Sequence, residues 1–303
     1  MKISLSVFEQ RQTWMKTWTT PTPEERSRVL EEAIKSLMFD YSDQRTENCH
    51  LESAECKKTF VLSMYASNMR VPARLRSYSS RMDSAKKDIS VWEAAMATTA
   101  SPGEFTQIKI GPMSVPYVSA GLGFSNPAKE ALDEADRIWH VSNIGCMVSI
   151  GTGVMPPARL ESYWESMSFL NFLSLENIAR VPELLTTFFR AATDCERVHE
   201  ELLRDARLLN LKYFRFNVDD GLQDLGRNDA SKLDKTKSAT TIYLGRREVL
   251  NSLVFCASRI SNEYISTPLI CYCLAHIISP PDGRRQPNYD PARIENGWLR
   301  AIF

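Results

Sequence analysis

The chain has 303 residues, 43% of them hydrophobic and 24% charged, with Lys+Arg and Asp+Glu equal at 37 each. That length can bury a substantial core in one domain or a little more, and the composition is ordinary for a soluble globular protein. A formal net charge of zero excludes a long-range field drawing nucleic acid or an anionic membrane, so no nucleic-acid partner is expected.

At the N-terminus an apolar run from Ile3 to Phe8 is cut by Glu9 and Arg11, short of a signal peptide. Thr22-Pro23-Glu24-Glu25 is a capping box with proline at the first helical position. Behind it Val29, Leu30, Ala33, Ile34, Leu37 and Met38 recur at helical spacing. Asp40 to Lys58 is polar and without period, which reads as an exposed loop. Thr59 to Tyr65 has strand length and composition, and Ala73 to Tyr78 is expected to pair with it. Ser90-Val91-Trp92-Glu93 is a second capping box, opening an alanine-rich helix that ends at Ser101-Pro102-Gly103. Val115 to Val118 reads as a strand, Asn126-Pro127 as the cap of a helix through Trp139, and Gly145 to Ile150 as a strand buried on both faces.

This alternation of strands and helices predicts an α/β layer. Beyond Pro156 the pattern turns mostly helical. A long helix is expected from Pro182 to Leu211, a strand from Lys212 to Val218, a turn at Asp219-Asp220-Gly221 and a closing helix from Thr240 to Ile260. Gly226 to Ser238 reads as exposed, and the tail from Ser279, with its Arg284-Arg285 doublet, as loop. The apolar run from Ile265 to Ile278 contains Pro268 and His276. It falls short of the ~20 residues that cross a bilayer and reads as buried core, so no transmembrane segment is expected.

Candidate chemistry is sparse. The seven cysteines are scattered, Cys271 and Cys273 are too close for a Cys-x-x-Cys clip, and no paired-histidine spacing completes a zinc site. Free thiols in a reducing, cytoplasmic setting follow, with no metal and no cofactor. His50, His140, His199 and His276 lie far apart and read as ordinary surface or core residues. Glu130, Asp133, Glu134 and Asp136 read as a solvated helix face beginning near the positive helix end. Gly121-x-Gly123 and Gly151-x-Gly153 each follow a strand but lack the third glycine of a dinucleotide fingerprint, so tight backbone turns are expected there.

Three blocks carry a resemblance. Trp92-Glu93-Ala94-Ala95-Met96-Ala97-Thr98-Thr99-Ala100-Ser101-Pro102 precedes Ser119-Ala120-Gly121 with Asn126-Pro127, and Ser149-Ile150-Gly151-Thr152-Gly153 ends the next strand. In order and spacing these resemble the patatin-like phospholipase family, lipid acyl hydrolases that include the calcium-independent phospholipase types. The likeness runs from about Cys56 to Gly153 and matches the C-terminal part of the family's catalytic domain. Tyr213-Phe214-Arg215-Phe216-Asn217 is a further, weaker likeness to fungal members.

The resemblance implies an α/β fold: a partial three-layer patatin-like sheet with helices, followed by a mostly helical C-terminal region. Residues 1–155 would form the partial domain lacking the nucleophile strand, and residues 156–303 its helical extension. It also implies ester hydrolysis in lipid metabolism, with a phospholipid or acyl lipid as ligand. The family's catalytic aspartate sits in an Asp-Gly-Gly or Asp-Gly-Ala turn, and that position here is Ser119, followed by Ala120 and Gly121. No Gly-x-Ser-x-Gly nucleophile turn occurs in the chain, and Gly123-Phe124-Ser125-Asn126-Pro127 imitates one with proline in the last glycine's place. A serine hydroxyl is no general base near neutrality. The expectation is therefore a truncated, catalytically inactive relative. The alternatives are a non-catalytic interaction or regulatory protein keeping the scaffold, or a fragment of a longer enzyme. Absence of the nucleophile strand also predicts an open sheet edge that invites self-association or a protein partner.

Overall fold

Both capping boxes form, and each opens a helix. The computed structural model describes residues 21–41, 49–52, 58–80, 88–154, 187–222 and 233–262. The readings of Ile3–Phe8, of Ile265–Ile278, of the tail and of most of Asp40–Lys58 fall outside them. At the head of α1 (Pro23–Tyr41), Thr22 N donates to Glu25 Oε2 at 2.9 Å and Glu25 N to Thr22 Oγ1 at 3.3 Å. Ser90 and Glu93 make the same reciprocal pair at the head of α2 (Val91–Thr99). Each box satisfies donors that a helix start otherwise leaves unpaired. α1 lays Leu30 and Ile34 against Met96 of α2, with Trp92 and Phe105 packed around them.

β1 (Phe60–Tyr65) and β2 (Asn68–Arg76) form the expected antiparallel hairpin, with β2 beginning five residues before Ala73. β4 (Val115–Ser119) pairs antiparallel with β1 on one side and with β3 (Ile108–Ile110) on the other, giving the order β2-β1-β4-β3. β3 is only three residues long, too short for an alternation pattern to reveal. Val61 on β1 joins Leu75, Ala97 and Tyr117 on the face covered by α2, while Leu62 and Met64 join Ala120 on the opposite face. This is the period-two alternation of a strand buried on both sides.

The alternation of strands and helices does not produce one parallel layer. Tight turns at Ala66–Ser67 and Gly111–Ser114 reverse the chain, so β1 to β4 are antiparallel throughout. Among the described residues only β5 (Cys146–Ile150) and β6 (Lys212–Phe216) run parallel, as a separate two-stranded sheet. The chain between them includes α4 (Glu196–Leu208), the kind of crossover that a parallel pair requires. The architecture is mixed α/β. Cys146, Met147 and Ser149 of β5 have no exposed surface, as expected of a strand covered on both faces. Met147 packs with Ala128, Leu132 and Ala135 of α3 (Ala128–Trp139) and with Leu202 and Ala206 of α4.

Several expectations change. Trp92 and Phe105 belong to the α1–α2 cluster and Val118 to the far face of the sheet, while Ile150 is half-buried at the end of β5. The two-faced sheet thus keeps Trp92 and Phe105 in a different cluster from Val118. The acidic face of α3 is solvated only in part, because α3 lies against β2. Glu134 is 3% exposed and pairs with Arg76, with Tyr78 donating to it at 2.8 Å, and Glu130 pairs with Arg74. Burial pushes the Glu134 carboxyl up, but hydrogen bonds from Arg76 and Tyr78 outweigh it and hold the group below its ordinary value. At Glu130 burial exceeds the pull of Arg74, and that carboxyl is raised.

The long helix expected from Pro182 to Leu211 is broken. Residues 187–192 are helical, and α4 begins only at Glu196. The closing helix is likewise two, α5 (Leu233–Leu244) and α6 (Arg247–Asn262). α5 begins within Gly226–Ser238, a stretch read as polar and exposed. Among the described residues no helix is long and apolar enough to cross a membrane.

Candidate functional site

β4 delivers Ser119 to its C-terminal end, 8% exposed, where the ladder pairs it with Ser63 of β1. Ser63 is wholly buried, and its hydroxyl is placed to donate to Val118 O at 2.7 Å and Ala97 O at 3.2 Å. Ser119 N donates to Ala100 O at 2.9 Å, which ties the strand end to the C-terminus of α2. Its Oγ accepts from Gly121 N at 3.2 Å, a local side-chain turn of the kind serine favours. Ser125 Oγ donates back to Gly121 O. Ala120 points into the apolar face with Leu62 and Met64. Nucleophile–base pairs need a base within roughly 2.6–3.2 Å of the hydroxyl. Among the described residues, neither Ser119 nor Ser125 has a carboxylate or imidazole partner; both hydroxyls bond to backbone.

Every glycine amide in the two Gly-x-Gly turns is already committed. Gly121 N serves Ser119 Oγ, Gly123 N donates to Ala192 O at 3.0 Å, Gly151 N to Phe216 O at 2.8 Å and Gly153 N to Asn217 Oδ1 at 2.7 Å. A phosphate or an oxyanion needs donors aimed at an empty position, and these four aim at protein acceptors. Both turns are thus packing devices. Gly123 and Gly153 sit at φ +110 and +118, where a side chain is strained, and a Cβ on Gly151 would lie 2.3 Å from Asn217 Oδ1.

The two resembling blocks meet through the N-terminus of α4. Asn126 is 4% exposed; its Oδ1 accepts from Ala128 N at 3.2 Å and its Nδ2 donates to Cys195 O at 3.0 Å. On the other side, Glu196 Oε1 accepts from Arg215 Nη2 and from Asn217 Nδ2, each at 2.9 Å. Arg215 Nη1 donates to Ser149 Oγ at 2.9 Å. The Arg215 side chain is 5% exposed, and its buried Nε has no partner among the described residues. Cys195 and Glu196 therefore join the Ser119 turn to the Ser149–Gly153 strand end.

Sequence reading missed this junction because it lay inside the expected long helix. The signal was Thr193-Asp194 ahead of Glu196. Asp194 Oδ1 accepts from Glu196 N at 2.9 Å, and Thr193 turns its hydroxyl back to Phe189 O, closing one helix as the next opens. Of the three described histidines, His199 alone stands near the junction. Its Nδ1 lies 3.2 Å from Tyr213 OH, and burial, with the nearby Arg215 charge, holds it below the usual imidazole range. His140 lies at the end of α3 against Ser142, and His50 pairs with Asp88 on the surface. No group of three or more His, Cys, Asp or Glu side chains suited to a metal occurs among the described residues.

No family model matches the chain. It is 34% identical over 127 residues to mouse calcium-independent phospholipase A2-gamma, covering 42% of this chain and 14% of that protein. The human protein of that name is 30% identical over 161 residues, 52% of this chain and 18% of its own length. Phospholipase A I of Arabidopsis thaliana is 29% identical over 132 residues, 43% of this chain and 9% of that protein. These matches support a patatin-like phospholipase relationship. The chain spans less than a fifth of the length of each of these three curated relatives. The likeness read from the Ser119 turn and the Ser149–Gly153 strand end thus has independent support at the level of the family.

Proposed function

We propose that this chain keeps the packing half of a patatin-like lipid acyl hydrolase and does not itself hydrolyse esters. The observation carrying this reading is Ser119: where the family resemblance expects aspartate, a buried hydroxyl accepts from Gly121 N and, among the described residues, has no carboxylate partner. In subtilisin, losing the nucleophilic serine or its histidine base alone lowers turnover by roughly 10⁶. Here the base position lacks a carboxylate, and the chain contains no Gly-x-Ser-x-Gly. In this reading residues 1–155 and 156–303 are parts of one three-layer patatin-like domain, and an acyl lipid is the ligand class inherited from the relatives.

A second reading is a non-catalytic interaction or regulatory protein that uses the same scaffold. It is favoured by the way the turn is anchored. Gly123, Asn126, Cys195 and Glu196 tie it to the strand end through hydrogen bonds within the protein.

Release of acyl product from phospholipid vesicles and short-chain esters tests the proposal, using the wild-type chain and Ser119→Asp. Both are expected at background, because a base without a nucleophile has nothing to activate. Turnover gained by Ser119→Asp would reveal a nucleophile and overturn the reading.

A further inference from the structure

On the far side of α4 from the Ser119 turn lies a groove of about 380 Å³ between α4, β6 and α6. One wall is a helical stripe, Leu203, Ala206, Arg207 and Asn210, running through the end of α4. The other is made by Leu211 and Phe214 with Phe255 of α6, and the two phenylalanine rings meet edge to face with centroids 5.8 Å apart. Apolar and polar side chains share the surface, and Phe255 remains 47% exposed.

Arg207 and Lys212 stand on this groove, exposed, and neither makes an ion pair among the described residues. The Arg259 guanidinium lies 5.2 Å from the centre of the Phe255 ring and adds a third cation beside it. His199, one turn earlier on the same stripe as Leu203, is held toward its neutral form against Tyr213 and contributes no fixed charge. Among the described residues no acidic side chain lines the groove.

We propose that this groove binds a single-chain amphiphile with an anionic head, of the fatty-acid class. The chain lies against Leu203, Leu211, Phe214 and Phe255, and the carboxylate is held by Arg207 and Lys212. An apolar chain gains by leaving water against those side chains. Arginine presents a donor fork matching a carboxylate, and lysine adds a second positive charge. The volume lies near the small end of ligand sites, ~300–1,000 Å³, which suits one chain better than two. The site is separate from the Ser119 turn and does not rest on the reading of that turn.

The test is calorimetric titration of the full chain with sodium laurate below its micelle-forming concentration, beside dodecanol as the uncharged analogue. Arg207→Glu with Lys212→Glu is the variant, with Arg207→Gln and Lys212→Gln in reserve should charge reversal disturb folding by circular dichroism. Saturable laurate binding is expected, weaker by at least about tenfold in the variant, with dodecanol bound more weakly and indifferently to the change. Absence of saturable laurate binding would overturn the proposal, as would equal binding by a folded variant or by dodecanol. Binding confined to phosphatidylserine vesicles would assign the groove to a bilayer surface instead. Concentration-dependent dimerisation abolished by the same variant, without laurate binding, would assign it to a second copy. Each of these last two results also overturns it.

Discussion

The Ser119 turn and the Ser149–Gly153 strand end are both family-like blocks, but they are held by different physics. At the turn, the Ser119 and Ser125 hydroxyls both bond to the nearby backbone of Gly121. At the strand end, the buried Arg215 joins Ser149 to Glu196, and Asn217 joins Glu196 to Gly153. A buried guanidinium cannot lose its partner cheaply, whereas a serine accepting one amide can be exchanged at small cost. Ser119 is therefore the position expected to tolerate substitution. The strand end tolerates little, because packing and charge are both satisfied there.

Changes at the strand end should accordingly exceed those at the turn. Arg215→Ala removes a side chain 5% exposed and leaves Glu196 and Ser149 without it. A loss of about 3 kcal/mol is expected in urea unfolding, the low end for a broken buried pair because Glu196 is partly solvated. Gly151→Ala drives a Cβ toward Asn217 Oδ1 at 2.3 Å, and about 1–3 kcal/mol should be lost by the same measurement. Ser119→Ala removes one acceptor for Gly121 N and should lose only about 1 kcal/mol. A Ser119→Ala loss equal to that of Arg215→Ala would break the comparison.

The smallest effect expected is one of pH, at the β2–α3 contact away from both blocks. Glu134 is held below its ordinary value in the folded protein. Its contribution to stability is present above the unfolded glutamate value and is lost as pH falls through the folded one. Glu130, raised by burial, acts in the opposite sense: it costs stability as pH climbs from its unfolded value through its folded one. Melting of Glu134→Gln against wild type across the acid range should show a shallower fall for the variant. A parallel pair of curves would mean that the Arg76 contact is not formed in solution.

Much of the fold was legible where the signal is local. Thr22–Glu25 and Ser90–Glu93 announce their helices because a capping box is a four-residue pattern, and Gly145–Ile150 announces a buried strand by unbroken apolarity. Contacts between distant segments were not legible. Nothing near Glu130 or Glu134 reveals that β2 will bring Arg74 and Arg76 against them, so those carboxylates read as solvated. The antiparallel order of β1 to β4 was hidden by the three-residue β3 and by a helix standing between paired strands. At the candidate site, Ser119 was singled out by the resemblance of the surrounding pattern alone. Cys195 and Glu196 were missed because a helix break is marked only by Thr193-Asp194.

Fluorophosphonate labelling of the purified chain tests the central proposal most directly, since the probe reacts only with a serine activated by its surroundings. The proposed reading predicts no labelling above a heat-denatured control, for the wild type and for Ser119→Ala and Ser125→Ala alike. Labelling of the wild type that disappears on changing one serine would contradict it and identify the nucleophile.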